Sequence, residues 1–274
     1  MLRKLLKHEF RATGRVMLPL YLVLLVTALG SNLAGRGMFG SGHRVLSLLG
    51  VLIVTAFGIA IVGVLVMSFI LMIQRFYKNL LQDEGYLMLT LPVSVHQHIW
   101  SKLIVSVVWF AATILAITVA ALIVAFQGGF LRELFDFIRY FLEGLQKLKV
   151  SEALNGTVYL VEFAVLMFLS MASFALQFYA ALAAGHSLPT HKMVWSVVWY
   201  FGFQFALQFL GSLLMIALDH LGVPDFLNRL SVNWTSVTAA IHVGLLLCIG
   251  VVIVYSAIFY AVTTFFLKRH LNLE

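Results

Sequence analysis

Few side chains in this chain could do chemistry, and their spacing limits what that chemistry would be. Glu162 is the one carboxylate clearly inside a long apolar run, and His242 stands near the start of another. Five residues from the start of its run, Glu162 would lie only about 7–8 Å deep. A carboxylate held in hydrocarbon turns toward a bundle interior, a partner or a water-filled path. An imidazole titrates near neutrality, so His242 is a candidate partner for it. The competing reading starts the run later, so that Glu162 snorkels at the surface and His242 is an interfacial ring. Gln204, Gln208 and Ser212 recur at i, i+4 and i+8. Such a polar stripe does not sit well against lipid. It either lines a substrate path or bonds a neighbouring helix, at ~0.6–2 kcal/mol per bond. Gln177 carries the same two readings.

Other chemistries are excluded by pattern. His96 and His98 are two apart and diverge on a helix, while His186 and His191 bracket Pro189 in a loop. Without H-E-x-x-H or a cysteine cluster, no metal site is expected. No G-x-x-x-x-G-K-[ST] stretch occurs, so the chain does not cradle a nucleotide. No catalytic residue is assigned, and the chain is not expected to be an enzyme.

The elements that must position these residues are set by composition. Of 274 residues 62% are hydrophobic and 11% charged, and mean hydropathy is +1.02. A soluble domain carries about 25% charged residues, so lipid must be part of this chain's solvent. The net charge of +7 flanks apolar runs, which is the membrane-orientation pattern and not a nucleic-acid footprint. Cys248 is the only cysteine; it forms no intrachain disulfide and reads as a small packing residue. The reading is an all-α integral membrane protein, one transmembrane domain over 1–274. Its six spans fall at about 16–34, 45–73, 103–126, 157–184, 193–218 and 239–267. The second exceeds the ~20 residues that cross hydrocarbon, so it must tilt or project.

Polar segments separate the spans. Residues 1–15 read as an amphipathic elbow helix, with Leu2, Leu5, Leu6 and Phe10 on one face and Arg3, Lys4, Lys7 and Arg11 on the other. The plainer reading is a charged flank of the first span. The charges run to Arg15 with no small-residue cleavage site, so this segment is not expected to be a signal peptide. Residues 130–149 form a second amphipathic segment, too charged to span, placed at the outer surface. Six spans put both termini on one side. Eleven basic residues fall on that side and seven on the other, together the 18 of the chain. The positive-inside rule therefore puts both termini and residues 74–102 in the cytoplasm.

That interruption, 74–102, is the longest polar stretch on its side. Asp83 and Glu84 suit the start of a short helix near Gly85. Tyr86, Leu87 and Leu89 offer an apolar knob for a groove on a partner, and Pro92 ends the helix. Arg75 and Lys78 suit lipid phosphates or a partner's acids. A solvated loop with interfacial aromatics is the alternative.

RFYKNLLQDEGYLMLTLPVS followed by an apolar span starting at SKLI resembles the small permease subunits of bacterial ATP-binding-cassette exporters, in the type-2 permease group. MLRKLLKHEFRATGR resembles the N-terminal elbow of that family, and LKRHLNLE its C-terminal tail. The resemblance implies a bacterial cell membrane, a coupling helix in the 74–102 loop, and a separate cytoplasmic ATPase that binds ATP and Mg. It also implies a second permease, identical or similar, and no cofactor in this chain. Lys4, Lys7 and Phe10 of the elbow would add a second contact to the ATPase. With 23 phenylalanines, a lipophilic, peptide-like or lipid substrate fits better than a sugar. Two other functions stay open: a non-transporting scaffold or sensor for a cytoplasmic partner, and an ion-coupled carrier using Glu162 and His242.

Overall fold

Inside hydrocarbon a continuous apolar chain satisfies its backbone N–H and C=O groups by coiling into helices. The computed structural model describes residues 2–39, 43–82, 85, 93–126, 135–136, 139–140, 143, 150–223, 225 and 234–269, with backbone only for 150–155, 234–238, 240 and 269. Among these residues there is no strand. Six long helices account for most of them: α1 (Leu2–Leu33), α2 (Arg44–Leu81), α3 (Val95–Ala125), α4 (Val150–Gly185), α5 (Lys192–His220) and α6 (Trp234–Arg269). All six contain stretches long and apolar enough to cross a membrane. The chain is an all-α, multi-pass membrane protein. Large apolar side chains such as Leu18, Leu52, Leu115 and Phe205 are left exposed, as lipid-facing positions require.

The helices form two compact units, divided within α2 and within α3: residues 1–72 with 104–150, and residues 73–103 with 151–274. The first unit is built on α1. Its buried positions, Glu9, Thr13, Gly14, Met17, Leu24, Ala28, Ser31 and Asn32, follow the three-to-four-residue spacing of one helix face. Met17, Leu24 and Ala28 pack with Val64 and Leu71 of α2 and Ala120 of α3. Helix α1 runs unbroken from Leu2 through Pro19 to a π-helical turn, Ala34–Met38. Residues 2–14 are therefore helical, as their periodicity predicts, but continuous with the first span rather than set off as a separate elbow. At 32 residues, α1 is about 48 Å long, some 18 Å more than the hydrocarbon core.

In the second unit the core lies at the C-terminal end of α4, where Ala175, Leu176, Tyr179, Ala180, Ala181 and Leu182 are buried. Small residues let neighbouring backbones approach closely. Gly185 shows the limit: a Cβ there would collide with the backbone nitrogen and Cα of Ser196 at the start of α5. The intervening turn ends at His191, which takes a left-handed conformation (φ 51°, ψ 42°) before α5 begins. Of α5 only Ser196 is buried. The second amphipathic segment, 130–149, lies mostly outside the described residues; within it Arg139 and Glu143 form an exposed i,i+4 ion pair at 2.9 Å.

Candidate functional site

Residues 82–94 connect α2 to α3, and the helix ends on either side of this connection carry polar and aromatic contacts to other helices of the second unit. At the end of α2, the Phe76 ring stacks on Tyr179 of α4 (centroids 4.1 Å apart, 7° between planes). One residue on, Tyr77 meets His186 edge to face at 5.2 Å. His186 is buried, and its Nδ1–H donates to the Leu182 carbonyl at 2.9 Å. Burial lowers the His186 pKa, the Leu182 carbonyl partly opposes this, and the nearby Lys192 charge lowers it further. Its ring is thereby held neutral at pH 7.

The start of α3 is fastened to the end of α6. His96 Nδ1 lies 2.6 Å from the Tyr260 hydroxyl, and Lys268 Nζ lies 3.0 Å from His96 Nε2. An ammonium only donates, so Nε2 accepts and the proton of the neutral ring is on Nδ1, donated to Tyr260. Trp100, one turn along α3, packs on Tyr260 at 6.0 Å. Both shoulders of the 82–94 connection are thus tied to α4 and α6. Sequence reasoning counted Lys268 only as a flanking charge and considered His96 and His186 only as metal ligands.

Of the residues expected to dock a partner, Asp83, Glu84, Tyr86, Leu87, Leu89 and Pro92 lie outside the described residues. Arg75 is half-buried and Gly85 buried; the Gly85 N–H donates to the Gln82 carbonyl at 2.6 Å. On α1, Lys4 and Lys7 are exposed while Phe10 is half-buried, its ring 6.4 Å from Trp109. Of these three side chains only the two lysines are exposed.

The structure brings Glu162 and His242 together. His242 Nδ1 donates to Glu162 Oε2 across α4 and α6 at 2.9 Å, with side-chain exposures of 21% and 13%. Those exposures rule against a snorkelling carboxylate. Tyr159, one turn before Glu162, stacks on the His242 ring at 4.1 Å. The arrangement can hold a proton between carboxylate and imidazole. Gln177 and Gln204 also meet: Gln177 Nε2 donates to Gln204 Oε1 at 2.7 Å, joining α4 to α5. Ser212 instead donates to the Phe209 carbonyl of its own helix at 2.8 Å. Gln208 is exposed, so the predicted stripe does not act as one set. Among the described residues, no three His, Cys, Asp or Glu side chains group to hold a metal ion.

A scan against protein-family models matches none, and searches of curated proteins and of solved structures return no match.

Proposed function

We propose that this chain is the membrane-spanning permease subunit of an ATP-driven exporter, docked to a separate cytoplasmic ATPase through the 74–102 loop. Both termini then lie in the cytoplasm of a bacterial cell, and a second permease, identical or similar, completes the pathway. The substrate class that fits the apolar, aromatic spans is lipophilic or peptide-like.

The reading starts from the loop sequence and its resemblance to exporter permeases. The observation that carries it in the structure is the double fastening of the loop's shoulders. A push on the loop is handed to α4 through Phe76–Tyr179 and Tyr77–His186, and to α6 through the bonds of His96 to Tyr260 and Lys268. Along α4, Glu162 lies about 36 Å from His186; along α6, His242 lies about 39 Å from Lys268. The pair that joins α4 to α6 is thus one membrane thickness from the docking loop, where an outward opening would be felt. The test is ATP hydrolysis by the reconstituted permease–ATPase complex. Tyr86→Ala and Glu84→Lys are expected to abolish substrate-stimulated hydrolysis while membrane insertion stays intact. Unchanged stimulation in both variants removes the docking assignment.

The half-buried Glu162–His242 pair favours one second reading, an ion-coupled carrier. Transport that follows a proton gradient and survives loss of the ATPase would select it.

A further inference from the structure

A groove in the first unit has no role in the reading above. It lies between the C-terminal ends of α1 and α3, encloses ≈ 550 Å³, and has Leu29 on one wall and Val119, Leu122 and Phe126 on the other. That volume falls in the ~300–1,000 Å³ range of small-molecule sites. The wall side chains are exposed and apolar.

Among the described residues two polar side chains line the groove, Asn32 and Arg36. Asn32 is buried and its Nδ2 already donates to the carbonyls of Ile123 at 2.8 Å and Phe126 at 2.9 Å. Arg36 is exposed. One of its N–H groups donates to the Phe126 carbonyl, and the guanidinium carbon sits 5.9 Å over the Phe126 ring. A guanidinium has five donors in a rigid fork, so most of them remain for an anion. The exposed Arg44 follows at the start of α2 and adds to the positive field at this end.

The depth and the charge together select the occupant. From Leu29 to Arg36 the groove runs about 10 Å along the end of α1 and the π-helical turn that follows it. Above Arg36 the walls are apolar side chains, so the group that fills them is hydrocarbon. Burying hydrocarbon in a lipid environment discriminates little between lipids; the head group must supply the preference, since a phosphodiester matches the Arg36 fork and an anionic lipid presents it without a neutralising ammonium. We infer that this groove binds an anionic phospholipid, one acyl chain lying between α1 and α3 and the phosphate on Arg36. The inference stands independently of the exporter reading.

The test is native mass spectrometry of the full chain released from mixed vesicles of phosphatidylglycerol and phosphatidylcholine with matched acyl chains. The wild type is expected to retain phosphatidylglycerol about fivefold over phosphatidylcholine, the effect of one basic residue near a head group. Arg36→Gln is expected to abolish the preference. Leu122→Trp fills the groove with Arg36 in place and is expected to reduce phosphatidylglycerol retention. Equal retention of the two lipids by the wild type overturns the inference, and so does a preference that survives Arg36→Gln or an unchanged phosphatidylglycerol retention in Leu122→Trp. If Arg36→Gln does not fold, the wild type and Leu122→Trp decide the matter.

Discussion

The two units differ in the kind of contact that joins their helices. In the first unit three neutral bonds tie α1 to α3, Tyr21 to Thr113 at 2.8 Å, Trp109 Nε1 to Thr13 at 2.7 Å, and Asn32 to the carbonyls that end α3, with the charged Arg36 on the Phe126 carbonyl beyond them. In the second unit the corresponding joints contain titratable groups: Glu162 with His242, His96 between Tyr260 and Lys268, and buried His186 against Tyr77. Neutral bonds hold at any physiological pH. A joint built on a histidine holds in one protonation state and weakens in another. The contrast is thus between neutral bonds along α1 and α3 and histidine-containing joints in the second unit. The loop assigned to partner docking emerges from the second.

The largest predicted effect tests how tightly the second unit closes. Gly185→Val forces a branched side chain onto the Ser196 backbone, and overpacking of this kind costs up to ~3 kcal/mol. Thermal unfolding in detergent should show a large loss, and an unchanged midpoint would mean that α4 and α5 do not meet at this glycine. Next comes Glu162→Ala, which strands the half-buried His242 partner at a cost of about 1–3 kcal/mol. Glu162→Gln keeps an acceptor and should cost less. Equal losses in the two would show that the carboxylate's hydrogen bond does not join α4 to α6.

Tyr21→Phe in the first unit removes one neutral bond, for a loss of about 1 kcal/mol that should stay constant between pH 5 and 8. A pH-dependent loss there would break the contrast between the units. The smallest effect is a slope. His186 has a lowered pKa in the folded chain, so below the unfolded value of about 6.5 the unfolded chain takes up a proton that the folded chain resists. Stability is full above that pH and falls as pH drops through it toward the folded pKa. His186→Asn should remove this component of the slope, and identical pH profiles for variant and wild type would sink the assignment.

Much of this architecture was legible in the sequence, because few polar residues interrupt long apolar runs. Each span read from the runs falls essentially within one helix, with α2 and α3 extending beyond on the loop side. The Glu162–His242 pairing was legible for the same reason: two lone polar residues at similar depth have few partners other than each other. The continuity of α1 was not. The periodicity of Leu2, Leu5, Leu6 and Phe10 is equally satisfied by a surface helix and by the start of a longer one. The face that is buried, Glu9–Thr13–Gly14, is selected by Trp109 from far along the chain. The shoulder contacts were hidden as well, since an aromatic facing lipid and one stacked on a neighbouring helix look alike in sequence.

The central claim is that this chain is one half of a machine whose ATPase is a separate protein. Gentle-detergent purification from the native membrane, with mass spectrometry of whatever accompanies the chain, tests it most directly. The account predicts a stoichiometric P-loop ATPase that is lost when Tyr86 and Leu87 are replaced. An intact six-span protein that carries no ATPase would contradict it.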